Sequence, residues 1–327
     1  MTRGPAARPR LAVALGDPRG IGPEVVAKAL AHAPLEADVV IIGADEQVAR
    51  IPASARLGVG SWPYGSGEQG AVRSVALSRT APRSPLPDID AAAGRIAAES
   101  VRRAVALALS GEVDAVVTGP VHKAGLHAAG IRFPGLTEFL GSLAGDREVA
   151  MMLVAGTLRV VLVTTHLPLR DVPGAVTTER VVRTGRIAAD ALRRWWRIPA
   201  PRLAVCALNP HAGEGGLFGD EDARILAPAA RELNAAGPLP ADTVFVRALH
   251  GEFDAVLAPY HDVGMTAVKV AGFGSGVNVT LGLPFPRTAP DHGTAFDIAG
   301  LNKADPGSMR AALELAQFLA TRNQTPG

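Results

Sequence analysis

Aromatic residues are scarce: nine Phe, three Trp and two Tyr in 327 residues. A core must then be filled by Ala, Val, Leu and Ile. That suits helices packed on a parallel sheet better than an aromatic-rich β-sandwich. Cysteine is nearly absent, and a single Cys206 excludes a disulfide framework within one chain. It sits in the apolar run 203–208 with no electropositive neighbour, so it reads as a buried, inert thiol. No run approaches the roughly 18 apolar residues of a membrane span. The apolar stretch 11–15, behind the basic Arg3, Arg8 and Arg10, is too short for a secretion signal. The cytoplasm is therefore the expected compartment, without membrane association. Charge of one sign is also lacking: the net charge is +2, and no Lys/Arg run interleaves with aromatics, so no nucleic-acid partner is expected. Neither a G-x-G-x-x-G fingerprint nor a P-loop is present.

What is present is apolar and periodic. Hydrophobic residues make up 48% and charged residues 20%, enough for a large core, and the length suggests two domains. Strands are expected at 11–16, 39–43, 114–118, 151–155, 159–164, 203–207, 255–258 and 277–281, with those at 151–155 and 159–164 joined as neighbours by a tight turn containing Gly156. Helices are expected at 23–33, 91–110, 179–197, 221–236 and 308–322. Residues 57–90, rich in Gly, Pro and Ser, read as irregular connections with one short strand near 72–77. The order strand-then-helix predicts an α/β fold with mainly parallel strands. In such sheets ligands gather beyond the strands' carboxyl ends.

Four loops there carry chemistry. The first is Gly16-Asp17-Pro18-Arg19-Gly20-Ile21-Gly22-Pro23-Glu24. Its glycines and the following helix start suit an anion, but a plain strand-to-helix turn explains them equally well. The others place His166, His211 and His261 after three separate strands. A lone histidine is usually structural or exposed, yet three at strand ends can converge on one rim. Imidazole suits Zn²⁺ or Co²⁺, and three ligands leave positions open for substrate. Their wide spacing is no local metal motif, so both readings stand. Lys123 follows another strand and is a candidate to bind an anion or move a proton; a solvated lysine is the alternative.

These segments together resemble the 4-hydroxythreonine-4-phosphate dehydrogenase family. The blocks are GDPRGIGPE (16–24), TGPVHKAGL (118–126), FPGLTEFL (133–140), VVLVTTH (160–166), LNPHAGEGGLFGDED (208–222), APYHDVGM (258–265) and VNVTLGLPFPRTAPDHGTAFDIAG (277–300), in order along nearly the whole chain. The resemblance implies two α/β/α domains with a cleft between them, as in isocitrate and isopropylmalate dehydrogenases: 1–128 plus 273–327 on the cofactor side, and 129–272 for metal, substrate and dimerisation. It implies a homodimer with shared active sites. It also implies NAD- and metal-dependent oxidation of the secondary alcohol of a phosphorylated 3-hydroxy acid, followed by decarboxylation, in pyridoxal phosphate biosynthesis. NADP is the alternative cofactor. Zinc or cobalt is favoured as the metal over magnesium or manganese.

Carried over residue by residue, the metal ligands fall on His166, His211 and His261. Substrate contacts fall on Thr137, Lys269, Asn278 and Arg287, with Leu136 at a further substrate position. The segment 292–300 resembles the cofactor-binding loop of this wider fold group and contains His292, Gly293 and Asp297. Asp262 is a candidate to position a ligand or relay a proton, with a structural role as the alternative. Two departures bear on substrate. The family's usual Gly-His-Thr-Glu is here Gly135-Leu136-Thr137-Glu138, and Leu136 cannot hydrogen-bond. The usual His-Asp-Gln-Gly is His261-Asp262-Val263-Gly264. A 4-phosphorylated sugar acid such as threonate or erythronate 4-phosphate is therefore the alternative substrate. A metal-dependent hydrolase without NAD, or a catalytically dead binding protein, is the alternative from another class.

Overall fold

The computed structural model describes residues 8–32, 34–51, 72–77, 89–272 and 274–324. Most of the stretch 57–90 expected to be irregular lies outside them. The chain divides into two compact units: Met1–Arg147 with Leu283–Gly327, and Glu148–Gly282.

The first unit contains β1 (Arg10–Ala14), α1 (Gly22–His32), β2 (Asp38–Ala44), α2 (Asp45–Ala49), β3 (Val72–Leu77), α3 (Ile89–Leu109), β4 (Ala115–Thr118), α4 (Lys123–Ala128) and α5 (Leu136–Leu143). After the second unit the chain returns to it as β11 (Arg287–Pro290) and α11 (Gly307–Gln324). Its strands run in the order β3-β2-β1-β4-β11, all parallel. Leu11–Ala14 of β1 and every residue of β4 are buried, as both-face coverage by helices requires. α3 forms because Ala97, Ala98, Val101, Ala104 and Val105 repeat at helical spacing and turn one stripe inward. α5 packs beside it, with the Arg102 guanidinium 5.5 Å over the Phe139 ring. The first unit thus runs on to Arg147, beyond the boundary at 128 expected from sequence.

The second unit contains β5 (Ala150–Ala155), β6 (Leu158–Leu162), α6 (Val172–Ala175), α7 (Thr178–Trp195), β7 (Leu203–Cys206), α8 (Ala227–Glu232), β8 (Ala236–Leu239), α9 (Ala241–Leu249), β9 (Ala255–Ala258), α10 (His261–Gly272) and β10 (Val277–Leu281). The strand order is β10-β5-β6-β9-β7-β8. The expected hairpin of β5 and β6 is antiparallel, and β10 pairs antiparallel with β5. The remaining pairs are parallel. The helix expected over 221–236 is instead a π-helical turn, Asp222–Leu226, running into α8. The chain then enters β8, whose Ala-Gly-Pro-Leu carries no strand pattern and is only half-buried.

α9, α10 and β11 were not expected either. α10 lies on the sheet because Gly264 has no side chain. A Cβ there would stand 2.6 Å from Leu162 Cδ2 and 3.0 Å from Val160 Cγ1. Gly264→Ala should therefore overpack this contact and cost about 1–3 kcal/mol of stability. Denaturant unfolding measures this; an unchanged midpoint would show that α10 shifts freely.

Candidate functional site

The parallel pairing of β6 with β9 builds the second unit's polar rim. Leu162 is in register with Ala258, and the pairing continues beyond both strands. Val163 N donates to Ala258 O at 2.9 Å, and Thr164 Oγ1 donates to Pro259 O at 2.7 Å. Two residues beyond Thr164 and Pro259 stand His166 and His261, and their rings come to 5.6 Å between centroids. Asp262 Oδ1 lies 2.7 Å from His261 Nδ1. A carboxylate only accepts, so Nδ1 carries the proton and Nε2 keeps its lone pair in the neutral ring.

His211 follows β7 on a loop anchored by Asp222, a buried acid that the sequence reading did not single out. The Asp222 carboxylate accepts from Leu208 N at 2.8 Å and from Asn209 N at 3.0 Å. Beyond that anchor the backbone takes positive φ at six successive residues, His211 through Gly216. Three of them, His211, Ala212 and Glu214, are not glycine, so the turn stores strain of roughly 1–3 kcal/mol per residue. The turn brings Glu214 Oε2 to 2.8 Å from His211 Nδ1. Glu214 holds the imidazole's pKa above its usual value, first through this hydrogen bond and then through its charge. The structure thus brings His166 and His261 together and leaves His211 with Glu214. Among the described residues no three His, Cys, Asp or Glu side chains gather closely enough to hold a metal ion. On the same unit, Lys269 is exposed two turns along α10 from His261, and Asn278 is half-buried on β10. Val263 packs partly against the core.

In the first unit Arg287 opens β11 and is 3% exposed. It donates from Nη2 to Thr118 Oγ1 at the end of β4, and burial pushes its pKa down. Thr137 is buried at the start of α5, beside a half-buried Leu136. Lys123 is exposed at the start of α4 and lines a cleft with His127 and Arg132. The segment after β1 is occupied by its own ions. Asp17 is 1% exposed and receives Arg19 N at 3.0 Å, Arg19 Nε at 3.1 Å and Arg19 Nη2 at 3.0 Å. Arg19 also pairs with Asp90, and its pKa is raised, chiefly by the hydrogen bond to Asp17. His292 is half-buried with Nδ1 3.0 Å from Gly293 O, and Asp297 is exposed.

A chain of two α/β units with polar side chains collected at strand ends has the architecture of an α/β enzyme. The family model for the pyridoxal phosphate biosynthetic protein PdxA matches residues 24–316, and the chain belongs to that family. It is a dehydrogenase of that family acting on a hydroxy group. The 4-hydroxythreonine-4-phosphate dehydrogenase of Beijerinckia indica is 43% identical over 94% of this chain and 94% of its own. The D-threonate 4-phosphate dehydrogenase of Salmonella typhimurium is also 43% identical, over 95% of this chain and 98% of its own. The crystal structure of the 4-hydroxythreonine-4-phosphate dehydrogenase of Klebsiella pneumoniae superposes with a TM-score of 0.82 at 40% identity, covering 97% of this chain and 99% of the other.

Cys206 is buried at the end of β7, and burial pushes its thiol up to about 12. It therefore stays protonated at neutral pH, as expected of an inert thiol. Thiol reagents at pH 8 should label it at least ~100-fold more slowly in the folded than in the denatured chain. Equal rates by mass spectrometry would contradict this.

Proposed function

We propose that the chain oxidises the secondary alcohol of a small phosphorylated 3-hydroxy acid with NAD and a divalent cation, in the manner of a 4-hydroxythreonine-4-phosphate dehydrogenase. The observation that carries this reading is the pairing of His166 with His261 at the ends of β6 and β9. The donor chemistry fits a cation. His261 and His211 each have Nδ1 held by a carboxylate, which directs Nε2 outward as the ligand atom. His166, His211 and His261 would hold the ion, with His211 joining the pair already formed. When bound, a divalent cation lowers the pKa of a coordinated alcohol and NAD accepts the hydride. Zinc or cobalt suits imidazole ligands best.

The chain's own residues supply the rest. Asp262 fixes the tautomer of His261. Arg287 is a desolvated cation, and an anionic phosphate or carboxylate beside it would offset the cost of its burial. Thr137 and Leu136 shape the substrate contact at the start of α5, and Lys269 and Asn278 add a cation and an amide. Lys123 supplies a further positive charge for an anion. Segment 292–300, with His292, Gly293 and Asp297, receives the cofactor. The reading includes decarboxylation of the 3-keto acid, a homodimer with shared active sites, and the cytoplasm, whose reducing conditions suit a lone thiol.

D-threonate 4-phosphate is the second substrate reading. Relatives bearing each name match at the same identity, and Leu136 offers no hydrogen bond to an amino group. NADH absorbance separates the two when both substrates are offered with several metals and with NAD or NADP. Phosphate release without NADH would instead favour hydrolysis. His211→Ala should abolish metal-dependent turnover while the circular dichroism spectrum is retained; full activity after chelation and metal add-back would remove His211 from the ligand set. Arg287→Ala should raise KM for the phosphorylated substrate by about tenfold or more, as expected for losing a charge-assisted hydrogen bond. An unchanged KM would leave Arg287 without that role.

A further inference from the structure

The first unit's segment 19–28 faces the loop that joins β11 to α11. We infer that this segment is a clamp that fixes loop 291–306 in its working shape, with Glu24 and Lys28 as positioning residues for the cofactor. The inference rests on the reading of residues 292–300 within that loop as the cofactor-binding segment.

Loop 291–306 needs outside support. It has no regular ladder of hydrogen bonds, and Ala295 (φ 43°) and Asn302 (φ 57°) adopt left-handed backbone that L residues rarely hold unaided. Segment 19–28 meets it at three places. At the first, Ile21 N donates to Thr294 O at 3.0 Å. The backbones come so close there that a Cβ on Gly20 would stand 2.9 Å from Thr294 O. At the second, the Arg19 guanidinium lies 4.9 Å over the Phe296 ring, held in place by Asp17 and Asp90. His122 meets the same ring edge-on at 5.1 Å.

The third place is the most specific. Lys28 Nζ donates to Asn302 O at 3.0 Å and to Ala304 O at 2.8 Å. Glu24 Oε1 accepts from Ala304 N at 2.7 Å and from Lys28 Nζ at 2.9 Å. One ion pair on a single turn of α1 thus binds an amide and two carbonyls of the loop. An exposed i,i+4 pair stabilises a helix by only about 0.3–0.5 kcal/mol. Here both side chains are partly buried, at 14% and 30% exposure, and their hydrogen bonds are directed at loop backbone. Their effect falls on the loop's shape. Pre-forming a binding loop removes an ordering cost that a ligand would otherwise meet.

The test uses Lys28→Met, Lys28→Arg and Glu24→Ala in the full chain. Hydrogen exchange at the Ala304 amide is read first, then steady-state kinetics with NAD and the phosphorylated hydroxy acid. Lys28→Met and Glu24→Ala should speed Ala304 exchange and raise KM for NAD, each by about tenfold, with kcat at saturating NAD within about twofold. Lys28→Arg should restore most of both. Unchanged exchange at Ala304 in both Lys28→Met and Glu24→Ala would overturn the clamp. Faster exchange with an unchanged KM for NAD would overturn its role in cofactor positioning alone. A wild-type chain that reduces no NAD would overturn the cofactor reading itself, independently of the exchange result.

Discussion

β6 and β9 lie side by side, with Leu162 opposite Ala258, and their hydrogen bonding runs on through Val163 and Thr164. Parallel pairing in register makes two chain segments, distant in sequence, leave the sheet at the same level. His166 and His261 are neighbours for that reason. The polar chemistry of the second unit depends on this register. Gly264 lets α10 settle against Val160 and Leu162 of β6, so helix packing reinforces what the strand pairing sets.

Two loops show different ways of holding strained backbone. Loop 208–216 is held from within its own unit by one buried carboxylate, Asp222, which accepts two successive backbone amides before the left-handed run begins. Loop 291–306 contains scattered left-handed residues and is held from outside, by the start of α1 and the ions around it. In both cases charged side chains hold backbone groups of the loop. Hydrogen bonds to charged groups are stronger than neutral ones, about 1.5–3 kcal/mol, which is of the order of the strain they offset.

Family membership settles less about substrate than about chemistry. Relatives that share 43% identity carry the names of two phosphorylated hydroxy acids, which differ in a single polar group. Leu136 is half-buried beside Thr137 and brings no polar group to the substrate contact proposed there. An apolar side chain pairs with neither an amino nor a hydroxyl group, and such a contact discriminates only weakly between them.

Much of the architecture was legible in the sequence because it is local. The helical spacing of Ala and Val in α3, the Gly156 turn between β5 and β6, and the apolar runs of β1, β4, β7 and β9 each follow from neighbours a few residues apart. The strand-to-helix order pointed to the α/β class, and the proposed site residues rest on blocks of similar sequence in the right order. β8 and β11 carry no pattern of their own and exist because a neighbouring strand pairs with them. The burial of Arg287, the occupation of Asp17 by Arg19, the anchoring role of Asp222 and the contact of Lys28 with residues 302 and 304 were invisible, since their partners lie far along the chain. Read alone, the chain shows the helices and strands whose apolar pattern is local, and the polar residues that follow them. Which of those residues meet depends on the folded chain, because register and helix packing are set by contacts that no stretch of sequence contains alone.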